Sequence, residues 1–313
     1  MTPDIVIENL SVYFETARGP VYAVRNLSTV FRSGRISGVI GESGSGKSVM
    51  GMSLLRLLPN TAKVSGTCRF GEQELLHMPL RELRKLRGAS IGLIPQNPNA
   101  SLDPVMKIKR QLAEAVTAHG RYPRREAEQR AMSLLARFGF QDPADILERY
   151  AFQMSGGMNQ RLVSALGLAC QPGWVIADEP TKGLDAVIRN QVYTVLRDIY
   201  TQQHSSMIVI THDLHLARRL CDDLRVLYMG QIIEQNTAAE VMERPRHPYT
   251  EGLIRSLPSR DMEPIPPAAP DRLGHTGCPF YPRCAKASAR CGKEIPGDFD
   301  LPDGGKVRCF LYA

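Results

Sequence analysis

The stretch GESGSGKS, residues 41–48, places three glycines and a single lysine between two different kinds of sequence. The run RISGVI (35–40) precedes it and is typical of a buried strand, whereas VMGMSLLRLL (49–58) follows it and is typical of a helix. We expect that helix to extend from Lys47 to about Leu58, where the dipeptide PN ends it. The pattern G-x-x-x-x-G-K-[ST], between a strand and a helix, predicts a phosphate-binding loop.

The glycines let the backbone turn so that successive N–H groups point into one concavity, where the following helix N-terminus also favours an anion. Lys47 is expected to reach the β- and γ-phosphates of a nucleoside triphosphate, and Ser48 to ligate Mg²⁺. A glycine-rich turn without a ligand is the alternative for so short a pattern. The residues assigned to the nucleotide are Gly41, Ser43, Gly44, Ser45, Gly46, Lys47 and Ser48.

A metal partner and a means of activating water are predicted at the end of another apolar run, WVIADEP (174–180). Asp178 would hold Mg²⁺ through its water shell, and the adjacent Glu179 could polarise the attacking water. An acidic corner after a strand is common when it stands alone. Paired with the glycine loop, these carboxylates predict hydrolysis of the nucleotide.

A second glycine cluster, MSGGMNQR (154–161), precedes another helix-like run. Ser155, Gly156 and Gly157 therefore predict a second helix N-terminus suited to an anion. A serine N-cap followed by two glycines is also a frequent start of a helix that binds nothing.

Composition and patterning predict an α/β protein. The chain has 313 residues, 43% of them hydrophobic, and no apolar run long enough to cross a bilayer. Its first residues lack the pattern of a signal peptide, so we expect a cytoplasmic protein. The net charge of +7 permits an anionic partner but does not require one.

Further elements follow from periodicity. Residues 73–87 and 107–140 are helix-like, and the second stretch is broken near GRYP (120–123). The remaining predicted strands are IVIENLSVYF (5–14), VYAVRNLSTVF (21–31), WVIAD (174–178) and the start of SMIVITHD (206–213). Prolines crowd the chain between about 245 and 275, where we place a domain boundary.

Taken together, these motifs resemble the ATP-binding cassette family, the motor subunits of ABC transporters. The resemblance rests on six motifs that follow that family's order along the cassette. They are the phosphate loop, LIPQNP (93–98), MSGGMNQR (154–161), ADEP (177–180), TKGLDA (181–186) and ITHDL (210–214). It implies a P-loop NTPase (RecA-like) core with an antiparallel β subdomain and a helical subdomain inserted at about 97–172. The cassette would cover residues 1–245, and a cysteine-rich extension residues 246–313.

The resemblance also implies roles for single residues. His212 matches the family's switch histidine, and Gln96 matches the hinge glutamine that also contacts Mg²⁺. Asp185, in the segment that follows the acidic strand, is assigned to the nucleotide-binding residues. Phe14, or alternatively Tyr13, matches the aromatic that stacks on adenine, with a buried strand aromatic as the structural alternative.

Two cassettes of this family pair head to tail, so Ser155, Gly156 and Gly157 would contact ATP held by a partner's phosphate loop. Two residues depart from the family's pattern: Met154 replaces a leucine, a volume-conserving change, and Lys182 replaces a small or hydroxyl residue.

Finer features resemble the oligopeptide, dipeptide and nickel importer branch: QNPNASLDPV (96–105), RPRHPYTEGLIRSLP (244–258) and the tail that begins CPFYPRC (278–284). RLLPNTAKVSG (56–66) resembles the first of two unlike ATPases, which implies a heterodimer. The implied partners are this second ATPase, two membrane permeases and, indirectly, an extracytoplasmic solute-binding protein. The implied location is peripheral, on the cytoplasmic face of the cell membrane.

The tail concentrates four cysteines, Cys278, Cys284, Cys291 and Cys309. Disulfides are not expected in a reducing cytoplasm, and the C-x₂₋₄-C pair common in structural zinc sites is absent. The tail resembles the cluster-bearing tails of the importer branch, which implies [4Fe–4S], with zinc or free thiols as the alternatives. We expect ATP binding to be independent of this tail because the phosphate loop lies in another domain. The other cysteines, Cys68, Cys170 and Cys221, are expected to be buried core thiols.

The leading hypothesis is an ATPase subunit that drives uptake of peptides or a nickel–ligand complex, with no nucleic acid partner. A cassette ATPase acting on nucleic acid or ribosomes is the alternative that the basic charge allows. Such relatives usually carry two cassettes or long coiled-coil insertions, which this sequence lacks. A regulatory module without turnover is disfavoured by Glu179 and His212.

Overall fold

A computed structural model describes residues 2–17, 19–119, 123–257, 262–267 and 276–313 of the chain. The chain divides into two compact units. The first unit comprises Met1–Ile5, Phe31–Ile36 and Phe70–Ile210. The second unit comprises Val6–Val30, Ser37–Arg69 and Thr211–Ala313.

The described residues form both strands and helices, and from β6 to β9 helices lie between successive strands, as expected for an α/β protein. The strands are β1 (Ile5–Thr16), β2 (Gly19–Phe31), β3 (Ile36–Ile40), β4 (Ala62–Phe70), β5 (Gln73–Glu74), β6 (Ile91–Ile94), β7 (Trp174–Asp178), β8 (Ser206–Thr211), β9 (Asp223–Tyr228), β10 (Gln231–Thr237), β11 (Phe299–Asp300) and β12 (Lys306–Val307). The helices are α1 (Lys47–Leu54), α2 (Leu80–Leu86), α3 (Ile108–Thr117), α4 (Arg124–Arg137), α5 (Pro143–Glu148), α6 (Gly156–Gly167), α7 (Ala186–Gln203), α8 (Leu214–Leu220), α9 (Ala238–Glu243) and α10 (Pro248–Arg255). None of the described helices is both long and apolar enough to cross a membrane.

In the first unit, β7 pairs in parallel with β6 on one side and β8 on the other. Every residue of β7 and β8 is buried, which explains why their sequences are almost continuously apolar. In the register, Ala177 lies opposite Ile94 and Asp178 opposite Ile210. Because parallel strands end at the same edge, the residues that follow these strands share the carboxyl edge of the sheet.

Helices α3 to α6 lie between β6 and β7 in the chain and pack against one another. The buried side of α3 carries Ile108, Leu112 and Val116, spaced four residues apart as one helix face requires. The predicted break in residues 107–140 is confirmed, since α3 ends at Thr117 and α4 begins at Arg124. Most of GRYP itself lies outside the described residues.

The predicted helix over residues 73–87 is wrong in its first half. The chain forms β5 there and then turns, because the Glu74 carboxylate accepts hydrogen bonds from the backbone N–H groups of Leu76 and His77. The helix α2 begins only after Pro79, whose extended backbone precedes the first helical turn.

In the second unit, β3 pairs in parallel with β9, and β9 pairs antiparallel with β10. The extension continues this sheet, because β12 pairs with β10 and with β11. In a separate sheet, β1 lies between β2 and β4. Residues 211–313 thus belong to one compact unit, so the predicted division at residue 245 does not separate compact units, and as a functional division it stays a prediction.

The helix after the phosphate loop is shorter than predicted and ends at Leu54. Arg56 adopts the left-handed conformation, with φ of 50°. The N–H of Leu57 then bonds to the carbonyl of Met52, and that of Arg56 to the carbonyl of Ser53. This pair of bonds is a Schellman motif, which ends a helix even where the sequence stays apolar.

Candidate functional site

The phosphate loop connects the buried strand β3 to α1, as the sequence predicts. Gly41 and Gly46 have positive φ angles of 150° and 100°. A Cβ at Gly41 would collide with the carbonyl oxygen of Leu227, and one at Gly46 with the carbonyl oxygen of Ala23. Only glycine therefore allows the loop to fold this closely on its neighbours. The loop is closed by the Ser45 N–H, which donates to the Glu42 carbonyl over 3.2 Å.

Lys47 is buried at the start of α1, with 6% of its surface exposed. Its Nζ donates to the carbonyl oxygens of Gly41 and Glu42, each over 2.8 Å. The ammonium group is thus held inside the curve of the loop. Among the other predicted loop residues, Ser45 is buried, Ser48 is half-buried, and Ser43 and Gly44 are exposed.

The two carboxylates predicted to support hydrolysis lie at the carboxyl edge of β7 in the first unit. Asp178 and Glu179 are buried, with 4% and 5% of their surfaces exposed. Glu179 adopts a left-handed backbone conformation, φ 50°, which is rare for a residue with a side chain. Its N–H donates to the carbonyl of Ile210 over 2.8 Å, which holds the backbone in place. Such strain is characteristic of functional positions and costs about 1–3 kcal/mol.

Gln96 lies two residues beyond β6, at the same edge of the first unit's sheet as Asp178, and its side chain is half-buried. In the second unit, His212 follows β8 directly and is exposed. The next residue, Asp213, caps α8 by accepting from the N–H groups of His215 and Leu216.

The second glycine cluster forms the N-terminus of α6, as predicted. Ser155 is the N-cap, and its hydroxyl accepts from the Met158 N–H over 3.3 Å. Ser155 and Gly156 are exposed, and a Cβ at Gly156 would meet no atom within 4 Å. Packing within the chain therefore does not explain the glycine at 156. The departure at Met154 is accommodated as a buried side chain.

Three other predicted positions have a clear local structure. Phe14 is half-buried on β1, and its role at the adenine ring stays a prediction. Tyr13 packs against Tyr22, with ring centroids 5.2 Å apart. Asp185 is the N-cap of α7, where its carboxylate accepts from two backbone N–H groups. Lys182 is exposed, and nothing in the structure explains its charge.

The tail cysteines are half-buried, whereas Cys68, Cys170 and Cys221 are buried, as predicted. Burial raises the pKa of Cys278 to about 11, and the thiols of the other three tail cysteines add to this increase. The pKa of Cys309 is also raised by burial, and Cys284 and Cys291 contribute. Among the described residues, however, no group of three or more potential ligands has the spacing that a metal ion requires.

Sequence reasoning missed Glu42, the one acidic residue of GESGSGKS. Its carboxylate forms a two-bond ion pair with Arg283 of the tail, at 2.9 and 3.0 Å. The phosphate loop and the tail therefore touch within one compact unit, so the premise that they lie in separate domains is wrong. The sequence does contain a signal for this pair. A carboxylate within an anion-binding loop needs a cation nearby to balance its charge.

Two family models match the chain. The model described as "ABC transporter" matches residues 24–182, about half of the sequence. The model described as "Oligopeptide/dipeptide transporter, C-terminal region" matches residues 233–291.

Relatives match over almost the full length. A dipeptide transport ATP-binding protein of Bacillus subtilis is 37% identical over 313 residues, which cover 97% of this chain and 93% of the relative. A dipeptide transport ATP-binding protein of Escherichia coli is 36% identical over 310 residues, with 97% and 95% covered. An oligopeptide transport ATP-binding protein of Haemophilus influenzae is 37% identical over 320 residues, with 100% and 98% covered.

Solved structures support the fold. A dimeric ATP-binding cassette in a post-hydrolysis state with ADP and phosphate superimposes with a TM-score of 0.68, at 24% identity, over 75% of this chain and 98% of that one. The predicted P-loop NTPase fold of the cassette type is thereby confirmed. With motifs, fold and full-length relatives in agreement, the chain belongs to the ABC transporter family and carries the C-terminal region of its oligopeptide/dipeptide branch.

Proposed function

We propose that this chain is the ATP-hydrolysing subunit of an importer that takes up peptides through separate membrane permeases. The observation that supports the proposal is the full-length similarity to peptide-transport ATP-binding proteins. A cassette acting on nucleic acid or ribosomes is not favoured, because none of these relatives has that role in its name. The location that follows is peripheral, on the cytoplasmic face of the cell membrane.

Within this proposal, the loop from Gly41 to Ser48 binds the triphosphate, and Lys47 balances the charge of its β- and γ-phosphates. Ser48, Gln96 and Asp178 would hold Mg²⁺, which neutralises charge that develops on the phosphates. These oxygen donors suit a hard cation. Phe14 stacks on the adenine ring.

Glu179 polarises the attacking water, and its strained backbone fixes the direction of the carboxylate. His212, which follows β8 directly and is exposed, contacts the γ-phosphate. The chemistry is thus electrostatic positioning of ATP and one water molecule.

A second cassette completes the site. Ser155, Gly156 and Gly157 lie exposed or half-exposed at a helix N-terminus, and the open space at Gly156 suits the close approach of a partner's nucleotide. Asp185 would lie at the same interface. We infer that the partner is a second, unlike ATPase, and that a solute-binding protein delivers the peptide. A nickel–ligand complex is an alternative solute.

The permease would dock on the helical region of the first unit. A groove of about 980 Å³ opens there, lined by both charged and apolar side chains, among them Asp103, Met106 and Arg110. Val105 at its rim is 83% exposed. A groove of this kind accepts a short amphipathic helix from a partner.

Cross-linking tests the docking site and the proposed function together. With Val105→Cys, a reagent that has one thiol-reactive end and one photoactivated end is expected to capture a membrane permease in cells that express the intact transporter. A cysteine at Ser133, exposed on α4 in the lining of a different groove, is the matched control and should capture little. Capture of ribosomal or DNA-binding proteins at Val105 would contradict the proposal.

The tail thiols fit a cluster in their chemistry. Burial raises the pKa of Cys278 and of Cys309, and the neighbouring tail thiols contribute to both increases, so these cysteines lie near one another. We infer that Cys278, Cys284, Cys291 and Cys309 hold a [4Fe–4S] cluster as thiolates, with zinc or free thiols as the alternatives. Such a cluster would be structural or regulatory, because ATP hydrolysis needs no redox centre. Metal binding would supply ordering energy to a segment poor in hydrophobic core.

Anaerobically purified protein is therefore expected to be brown, with broad absorbance near about 400 nm, and Cys284→Ser should bleach it. Cys170→Ser is the matched control. The Cys170 thiol is buried and donates to the Ala115 carbonyl, which a hydroxyl can also do, so this variant should keep its colour. Colourless wild-type protein with one zinc per chain, or with no metal, would refute the cluster.

A further inference from the structure

Glu42, the second residue of the phosphate loop, is bound through its backbone N–H, its carbonyl and its carboxylate. Its N–H donates to the hydroxyl of Tyr249 over 2.8 Å. Its carbonyl accepts from Lys47 Nζ over 2.8 Å. Its carboxylate accepts two hydrogen bonds from Arg283, at 2.9 and 3.0 Å. The residue that orients the loop lysine is thus itself held by two side chains from the C-terminal part of the chain.

Arg283 lies directly before Cys284 and has a fixed position. Its Nε donates to the carbonyl of Pro266 over 2.9 Å, while both terminal nitrogens bond to Glu42. The side chain is only 20% exposed, and the rings of Tyr228 and Phe280 lie 6.0 Å from its guanidinium carbon. The hydrogen bond to Glu42 raises the pKa of Arg283 further. A part-buried pair with two parallel bonds holds its geometry better than a solvent-exposed ion pair does.

Tyr249 supplies the second hold on the loop. It is fully buried in α10, and its ring packs against Tyr228 and Phe280, with centroids 4.6 and 5.5 Å away. Burial raises the pKa of its hydroxyl, so the group stays neutral and can accept the Glu42 N–H. That N–H is directed at Tyr249 and is not available to a phosphate.

Charge explains why the contact matters for ATP. A carboxylate in a loop that binds a triphosphate repels the ligand unless a cation neutralises it. Arg283 neutralises Glu42 and also fixes the residue whose carbonyl positions Lys47. Removing Arg283 would leave the Glu42 carboxylate without its cation and would free the Glu42 carbonyl that positions Lys47.

We infer that Arg283 is a positioning residue of the ATP site, through which the C-terminal extension sets the affinity of the phosphate loop for nucleotide. The inference rests on the proposed function, because it presumes that the loop binds ATP. On this inference, a residue of the tail takes part in nucleotide binding.

Titration calorimetry with Mg-ATP on the full chain tests it. Arg283→Ala is expected to weaken ATP binding about tenfold at low salt, and the deficit should shrink at about 0.5 M salt, where unpaired charges are screened. Arg283→Lys keeps the positive charge but cannot form the two parallel hydrogen bonds, so its ATP affinity should lie between those of the wild type and Arg283→Ala. Arg308→Ala is the matched control, since Arg308 is 17% exposed and pairs with Asp298 within the same tail. It should bind ATP as the wild type does.

A double variant separates charge from folding. In the Arg283→Ala background, Glu42→Gln removes the unpaired carboxylate and should recover most of the lost affinity, which a merely structural role would not allow. Thermal unfolding checks that each variant is folded. If Arg283→Ala does not fold, the ATP affinity of Arg283→Lys is compared with that of the wild type.

Wild-type protein that binds no ATP would refute the proposed function. Wild-type binding with equal affinities for Arg283→Ala and Arg308→Ala would overturn the inference alone. A loss of affinity that neither salt nor Glu42→Gln reduces would also overturn it.

Discussion

Glu179→Gln is expected to lower ATP turnover by a factor on the order of one hundred or more while leaving ATP binding intact. Glutamine matches glutamate in size, so the buried position and the Glu179 N–H bond to Ile210 should persist. The amide cannot take a proton from the attacking water. If the proposed second ATPase is present, the variant should accumulate as an ATP-bound closed dimer.

Phosphate release measures the turnover, and calorimetry measures the binding. Glu82→Gln is the matched control, because Glu82 is an exposed carboxylate on α2 that pairs with Lys85 at 2.7 Å. That variant should hydrolyse ATP at the wild-type rate. Wild-type turnover in Glu179→Gln would show that another group activates the water.

Lys47→Ala is expected to abolish detectable ATP binding, and hydrolysis with it. The change removes the cation of the phosphate loop and also the two hydrogen bonds that hold the loop curved around Nζ. A triphosphate would then meet a cradle with less positive charge and an altered shape.

Calorimetry with Mg-ATP checks this result, and thermal unfolding checks that the buried substitution leaves the chain folded. Lys85→Ala removes an exposed lysine from α2 and should bind ATP normally. ATP affinity in Lys47→Ala within threefold of the wild type would remove this residue from the site. Together, the Lys47 and Glu179 variants separate capture of the nucleotide from its hydrolysis.

The phosphate loop and the acidic strand end are predictable from sequence because their physics is local. Gly41 and Gly46 are required by the turn itself, and Asp178 and Glu179 end a run of buried residues that only a central strand explains. The N-cap role of Ser155 is equally local, since it depends on the next three residues.

Errors arose where local interactions compete closely. The helix predicted over residues 73–87 begins at Leu80 because a side-chain turn at Glu74 and the backbone of Pro79 outweigh a weak helical periodicity. The helix after the loop ends at Leu54 because Arg56 enters the left-handed conformation, although the apolar pattern continues.

The sequence by itself determined the family and the α/β class, and it predicted the phosphate loop and the acidic end of β7, because each depends on residues close together in the chain. Only the tertiary structure decided that Arg283 meets Glu42, residues separated by 241 positions. No periodicity or spacing encodes such a pair, because it exists only after the strands and the tail have packed within one unit. The strained backbone of Glu179 also depends on a distant bond, to the carbonyl of Ile210 on β8. Contacts of this kind form between segments that are distant in the chain, so they cannot be predicted from local sequence patterns.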